Sequence, residues 1–134
     1  MNVIDSSIAL QWVLPEAGAA EAVTFYDDLR SIAPDVILVE VANVLAKKVR
    51  AKNLSGDEAR QALHFVHQGL VRLELSAPLI PRALELSIAL SHPVYDCVFL
   101  ACAEERQAKL VTRDAPFRKR VEDRGYGHLL GEAV

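Results

Sequence analysis

The sequence is short of several things, and each shortage closes off a class of protein. It has 2 cysteines in 134 residues, too few for a multi-bridge disulfide framework, so a reducing cytoplasm is the expected setting. No stretch approaches the roughly 20 uninterrupted apolar residues that a membrane-spanning helix needs, so no membrane partner is expected. The apolar run at the start has no basic segment before it and is broken at Asp5, which argues against a signal peptide. An excess of positive charge is also missing. The formal net charge is -3, so no global field draws in nucleic acid, and any such contact must be local or bridged by metal. Internal repeats, low-complexity tracts and interdomain linkers are absent too, and a single domain over residues 1–134 is expected. A hydrophobic share of 51% is too high for a disordered chain, and the length supports one real core.

Short apolar segments alternate with longer helical patterns. Residues 1–4 read as a buried strand, and Ser6 or Ser7 can cap a helix that Pro15 stops. Residues 16–31 carry apolar residues at helical spacing, and Pro34 and Asp35 punctuate. Residues 36–52 are apolar early and basic late, which suits a helix dipole. Ser55 and Glu58 have capping-box spacing and open a helix to about Gln68. Residues 71–75 alternate as a strand would. Residues 78–91 read as a helix broken by His92 and Pro93, and residues 94–107 as a largely apolar central helix. A strand over 109–112, a charged helix over 116–124 and a last strand over 128–130 complete the pattern. Such alternation predicts an α/β domain with a mostly parallel sheet.

Four acids sit where acids are costly: Asp5, Glu40, Asp96 and Asp114 each lie inside or at the end of an apolar run. Each alone has a structural explanation. Asp5 and Asp114 suit helix caps, and Glu40 and Asp96 suit charges near helix N-termini. Together they suggest a shared cation. In a parallel α/β sheet the site lies beyond the carboxyl ends of the strands, an edge all four can reach. An oxygen-only donor set suits Mg²⁺ or Mn²⁺ with several waters, and that arrangement suits phosphodiester hydrolysis. Ser6, Ser7, Asn43 and Thr112 offer neutral oxygens nearby. Thr112 and Asp114 lie two apart, so on a strand they share a face.

The segments IDSS, VEVANVL, YDCVFLACAEE and LVTRDAPF resemble, in order, the four motifs of PIN-domain ribonucleases, and those of VapC-type toxin nucleases in particular. The resemblance covers nearly the whole chain. It implies metal-binding roles for Asp5, Glu40, Asp96 and Asp114, and supporting roles for Ser7, Asn43 and Thr112. It also implies a Mg²⁺- or Mn²⁺-dependent endoribonuclease silenced by a cognate antitoxin, a five-stranded parallel sheet flanked by helices, and a homodimer. Many relatives carry another acid directly before the position of Phe117, where this chain has Pro116. A second cation would then be held weakly or only with substrate.

Other candidates carry less. Cys97 and Cys102 are five apart on a helix and face different ways, so they read as buried structural residues. His64 and His67 lack a third zinc ligand at suitable spacing, and His92 and His128 stand alone in turn-like surroundings. Lys47, Lys48, Arg50 and Lys52 cluster at a helix end. Arg113, Arg118, Lys119 and Arg120 cluster beside the last acid, and Arg113, Arg118 and Lys119 are the candidates for RNA phosphate contacts. Trp12, Phe25 and Tyr26 read as core, or as a groove for an antitoxin segment. The rival functions are a non-catalytic PIN-like module that binds RNA or protein, and a different acid-site α/β enzyme or switch. The latter lacks its D-x-D or paired-acid signature here.

Overall fold

The computed structural model describes residues 1–14, 22–28, 30–70 and 72–132. In chain order the strands are β1 (Asn2–Ile4), β2 (Ser31–Pro34), β3 (Arg72–Glu74) and β4 (Lys109–Val111). The helices are α1 (Ser6–Gln11), α2 (Val36–Arg50), α3 (Gly56–Gly69), α4 (Ile80–Leu90), α5 (Val94–Arg106) and α6 (Ala115–Asp123). Short 3₁₀ turns cover Ala77–Leu79 and Gly127–Leu129.

The strands form one parallel sheet in the order β3-β2-β1-β4. Val3 is the register point, opposite Ile32 on one side and Leu110 on the other. Apart from Ser31, the buried positions of these central strands are apolar, because a parallel sheet is covered on both faces. Helix α5 is buried without a break from Cys97 to Ala103, as a helix apolar all round must be. It packs across β1, β2 and β4, and α4 packs against it. A single buried cluster, with Val3, Ile4, Ile37, Phe99, Leu110 and Phe117 among its members, joins the layers.

Local signals set the helix ends well. Ser55 caps α3, with the reciprocal bonds of Ser55 and Glu58 both formed. Asp114 caps α6 by accepting from the Phe117 N–H. Ser91 and Gln107 end α4 and α5 in the left-handed conformation.

Two expectations need correction, and a third is tested only in part. Among the described residues the sheet has four strands, where five were expected. Residues 127–129 form a 3₁₀ turn, and only Leu130 pairs, by a single parallel bridge to Leu110. Residues 31–34 are strand β2, where a helix end and punctuation were expected. Pro34 misled because proline cannot donate to a ladder. It is tolerated because it lies at the last position, opposite Glu74 of β3, where pairing with β1 has ended. Of the helix expected over 16–31, residues 16–21 and 29 lie outside the described ones, and Ser31 opens strand β2. Of the rest, 22–23 are helical and 24–27 form turns.

Candidate active site

The carboxyl ends of β1 and β4 meet at one edge of the sheet. Strand β1 has β2 on one side and β4 on the other, so the chain order reverses there, the usual place for a site in such sheets. Asp5 follows β1 directly. Asp114 follows β4 by three residues. Glu40 lies in the second turn of α2, after β2, and Asp96 in the first turn of α5.

Asp5 is buried, and its Oδ1 accepts from the N–H groups of Ser7 (3.0 Å) and Ile8 (3.3 Å) and from the Ser7 hydroxyl (2.5 Å). The Thr112 hydroxyl also hydrogen-bonds it. Burial nevertheless wins, and its pKa is pushed up from 3.8 to about 6. The hydrogen bonds oppose this rise, and the charge of Asp96 adds to it. The two hydroxyls are themselves oriented. Ser7 Oγ accepts the Arg113 N–H at 2.9 Å, and Thr112 Oγ1 accepts the Asp114 N–H at 3.1 Å. Each hydroxyl oxygen accepts a backbone N–H from the loop after β4, and each O–H donates to Asp5. The loops after β1 and β4 are thereby locked together, although Ser7 and Thr112 stand 105 positions apart.

Glu40 is pushed up to about 7, first by burial, then by the charges of Asp96 and Asp5. Its Oε1 is buried and has no hydrogen-bond partner among the described residues. An uncompensated carboxylate oxygen is expensive, and it turns favourable when a cation or an ordered water meets it. Asp96 is half-buried, and its Oδ2 lies 2.6 Å from His92 Nε2. The His92 ring in turn packs on Phe117, with ring centroids 4.5 Å apart. Phe117 is the residue whose N–H Asp114 caps. Asp96 and Asp114 are thus tied through one aromatic contact.

The structure therefore brings Asp5, Glu40 and Asp96 into mutual electrostatic range and links Asp114 to them through Thr112 and Phe117. Among the described residues, no three His, Cys, Asp or Glu side chains already form a shell that could hold a metal ion. Asp5 faces its cap and Asp96 faces His92. The donor set still fits a hard cation. It is all oxygen, it repels itself, and it holds one buried oxygen without a partner. Mg²⁺ in particular needs only one or two carboxylates, with waters filling the rest of its shell.

The supporting residues divide. Ser7 and Thr112 bond Asp5, whereas Asn43 is exposed and, among the described residues, bonds none of the acids. Of the cations, Arg113 borders the acidic edge. Arg118 gives Nη2 to the Gly131 carbonyl, and Lys119 pairs with Asp123. Sequence reasoning missed two residues. His92 was set aside as isolated, although its i,i+4 spacing to Asp96 across a helix start was the available signal. Lys48 was grouped with a solvated helix end. It lines the same cavity as Arg113 and Asp114.

A family model described as PIN domain matches residues 3–122. No curated protein matches the chain. Among solved structures, the crystal structure of PAE2754 from Pyrobaculum aerophilum matches with a TM-score of 0.71 at 18% identity, covering 89% of this chain and 83% of that one. At such identity the likeness concerns the fold. Among the described residues, no single helix is long and apolar enough to cross a membrane.

Proposed function

The chain belongs to the PIN-domain family, whose members are typically metal-dependent nucleases, and from that premise we propose that it is a Mg²⁺- or Mn²⁺-dependent endoribonuclease. The observation that supports this most is the coupled group of Asp5, Glu40 and Asp96, in which Glu40 keeps a buried oxygen without a partner. Asp5, Asp96 and Asp114 hold the cation directly or through water. Glu40 completes the site or positions the attacking water. When bound, the cation lowers the pKa of a water and neutralises charge on the phosphate. Ser7 and Thr112 fix the Asp5 carboxylate by hydrogen bonds, and the water attacks phosphorus in line. The products carry a 5′-phosphate and a 3′-hydroxyl.

In the cell the same reading makes the protein a cytoplasmic VapC-type toxin, halted by a cognate antitoxin and acting as a homodimer. One feature supports self-association. Ile80, Leu84 and Ile88 line one exposed stripe of α4 at i, i+4 and i+8, exposed by 44%, 55% and 71%. Leu84→Glu should then turn a dimer into a monomer in sedimentation velocity. Induced expression should arrest growth, and co-expression of a small upstream partner should relieve it.

Asp5→Ala and Asp96→Ala should abolish Mg²⁺-dependent cleavage of RNA while the circular dichroism spectrum stays native. Full activity in both variants would overturn the assignment. A non-catalytic RNA- or protein-binding module is the second reading, favoured by the lack of a ready-made three-ligand shell among the described residues. Calorimetric titration with Mn²⁺ separates the two, since the module binds none and cleaves nothing.

A further inference from the structure

A cavity of about 390 Å³ opens beside the acidic edge, between α1, α2 and the loop after β4. Its near rim is Ser7 and Asp114, so it is continuous with the proposed site. Its walls are Leu10 and Val44, Arg113 borders it beside Asp114, and Lys48 lines it from farther along α2. The sequence explains this gradient. Glu40, Val44 and Lys48 are spaced four apart and so fall on one face of α2. At 1.5 Å rise per residue, Lys48 stands about 12 Å along the helix from Glu40. That is too far to neutralise the acids. Lys48 makes no ion pair among the described residues, so its charge serves no internal partner.

An acid, an apolar wall and a cation in line match a nucleotide strand laid across a hydrolytic centre. The scissile phosphate would lie at the acidic end, where Asp5, Asp96 and Asp114 would hold the cation. The neighbouring nucleotide then presents a flat apolar face to Leu10 and Val44 and a phosphate to Lys48. Phosphate contacts of this kind fix the strand's register without reading its sequence. We infer that this cavity is a nucleotide subsite, in which Lys48 and Arg113 hold the phosphate next to the scissile one and Leu10 and Val44 pack on the adjoining base. The inference rests on the endoribonuclease reading and deepens it. It adds Lys48, on a different helix, to the Arg113, Arg118 and Lys119 that the sequence offered for phosphate contact.

The test uses a labelled single-stranded RNA of roughly 12 nucleotides, with Ca²⁺ replacing Mg²⁺ to hold back cleavage. Fluorescence anisotropy is followed across a salt series. Lys48→Gln should weaken binding several-fold and reduce the slope of log K against log salt by roughly 0.7, one phosphate contact on a single strand. Lys47→Gln, an exposed neighbour outside the cavity, should leave the slope unchanged, and Mn²⁺ binding should survive in both variants. Adenosine monophosphate should compete for the site better than ribose phosphate, because only the former has a base for the wall. Equal effects of Lys47→Gln and Lys48→Gln would overturn the subsite. So would equal competition by the two phosphates, or displacement of the RNA by a polyglutamate peptide at matched charge. A wild-type protein that shows this Lys48 dependence but never cleaves RNA would sink the nuclease reading and leave the subsite standing.

Discussion

In the absence of divalent cations the protein should lose stability as the pH rises, opposite to the usual behaviour of a carboxylate-rich chain. Asp5 carries the argument. Its pKa is about 6 in the fold against an ordinary value of 3.8, so the native state binds that proton more tightly than the unfolded chain does. Well below pH 3.8 the group is protonated in both states and costs nothing. As the pH rises through 6 the native state must ionise a buried group, and stability falls. At 1.36 kcal/mol per pKa unit, the two-unit shift is worth about 3 kcal/mol, or roughly 10 °C in Tm for a domain of this size. Glu40, raised to about 7 by burial and by its acidic neighbours, extends the loss toward neutrality, and the acids titrate as a coupled group. Other carboxylates work the opposite way. Glu104, for one, is held below its ordinary range by Arg82. The clean quantity is therefore the difference between wild type and Asp5→Asn, measured by urea unfolding in EDTA. The variant should be more stable by up to about 3 kcal/mol at pH 7.5, and the gain should vanish below about pH 3. Mn²⁺ at 100 times its Kd should stabilise the wild type by about 2.7 kcal/mol and the variant far less. A difference that does not change with pH would refute the reasoning, as would equal stabilisation of both proteins by Mn²⁺.

Further outcomes follow from other parts of the structure. His92→Phe keeps an aromatic ring against Phe117 but removes the nitrogen that holds Asp96. It should weaken Mn²⁺ binding about 10- to 100-fold, measured by calorimetry, with little change in Tm, and His92→Gln should recover part of the loss. Ser55→Ala removes the capping box of α3 and should cost about 1 kcal/mol in urea unfolding, leaving cleavage untouched. Cys97 and Cys102 are buried, and burial pushes both thiols up to about 11. A thiol reagent should therefore label them only as fast as the protein unfolds, and rapid labelling of the native protein would contradict the core position of α5.

The helices were legible in the sequence because their signals are local. The spacing of Ser55 and Glu58 set one start, and the uninterrupted apolar run from Cys97 to Ala103 announced a central buried helix. Strand β2 was not legible, since Pro34 carries a local warning that only its place at the end of the ladder cancels. The acids could be singled out from the sequence pattern, because a carboxylate in an apolar run needs an explanation wherever the run ends up. Ser7 and Thr112 could be named from their nearness to those acids, but their shared grip on Asp5 could not.

What the sequence determined by itself was a set of parts: short buried strands, capped helices and misfit carboxylates at their joints. Which parts meet was decided by strand order. Because β4 lies beside β1 and not beside β3, Thr112 reaches Asp5, and the loop after β4 closes one side of the cavity that Lys48 enters from α2. Pairings across such separations cost chain entropy that only packing of the whole sheet and its central helix repays, so no local pattern can announce them.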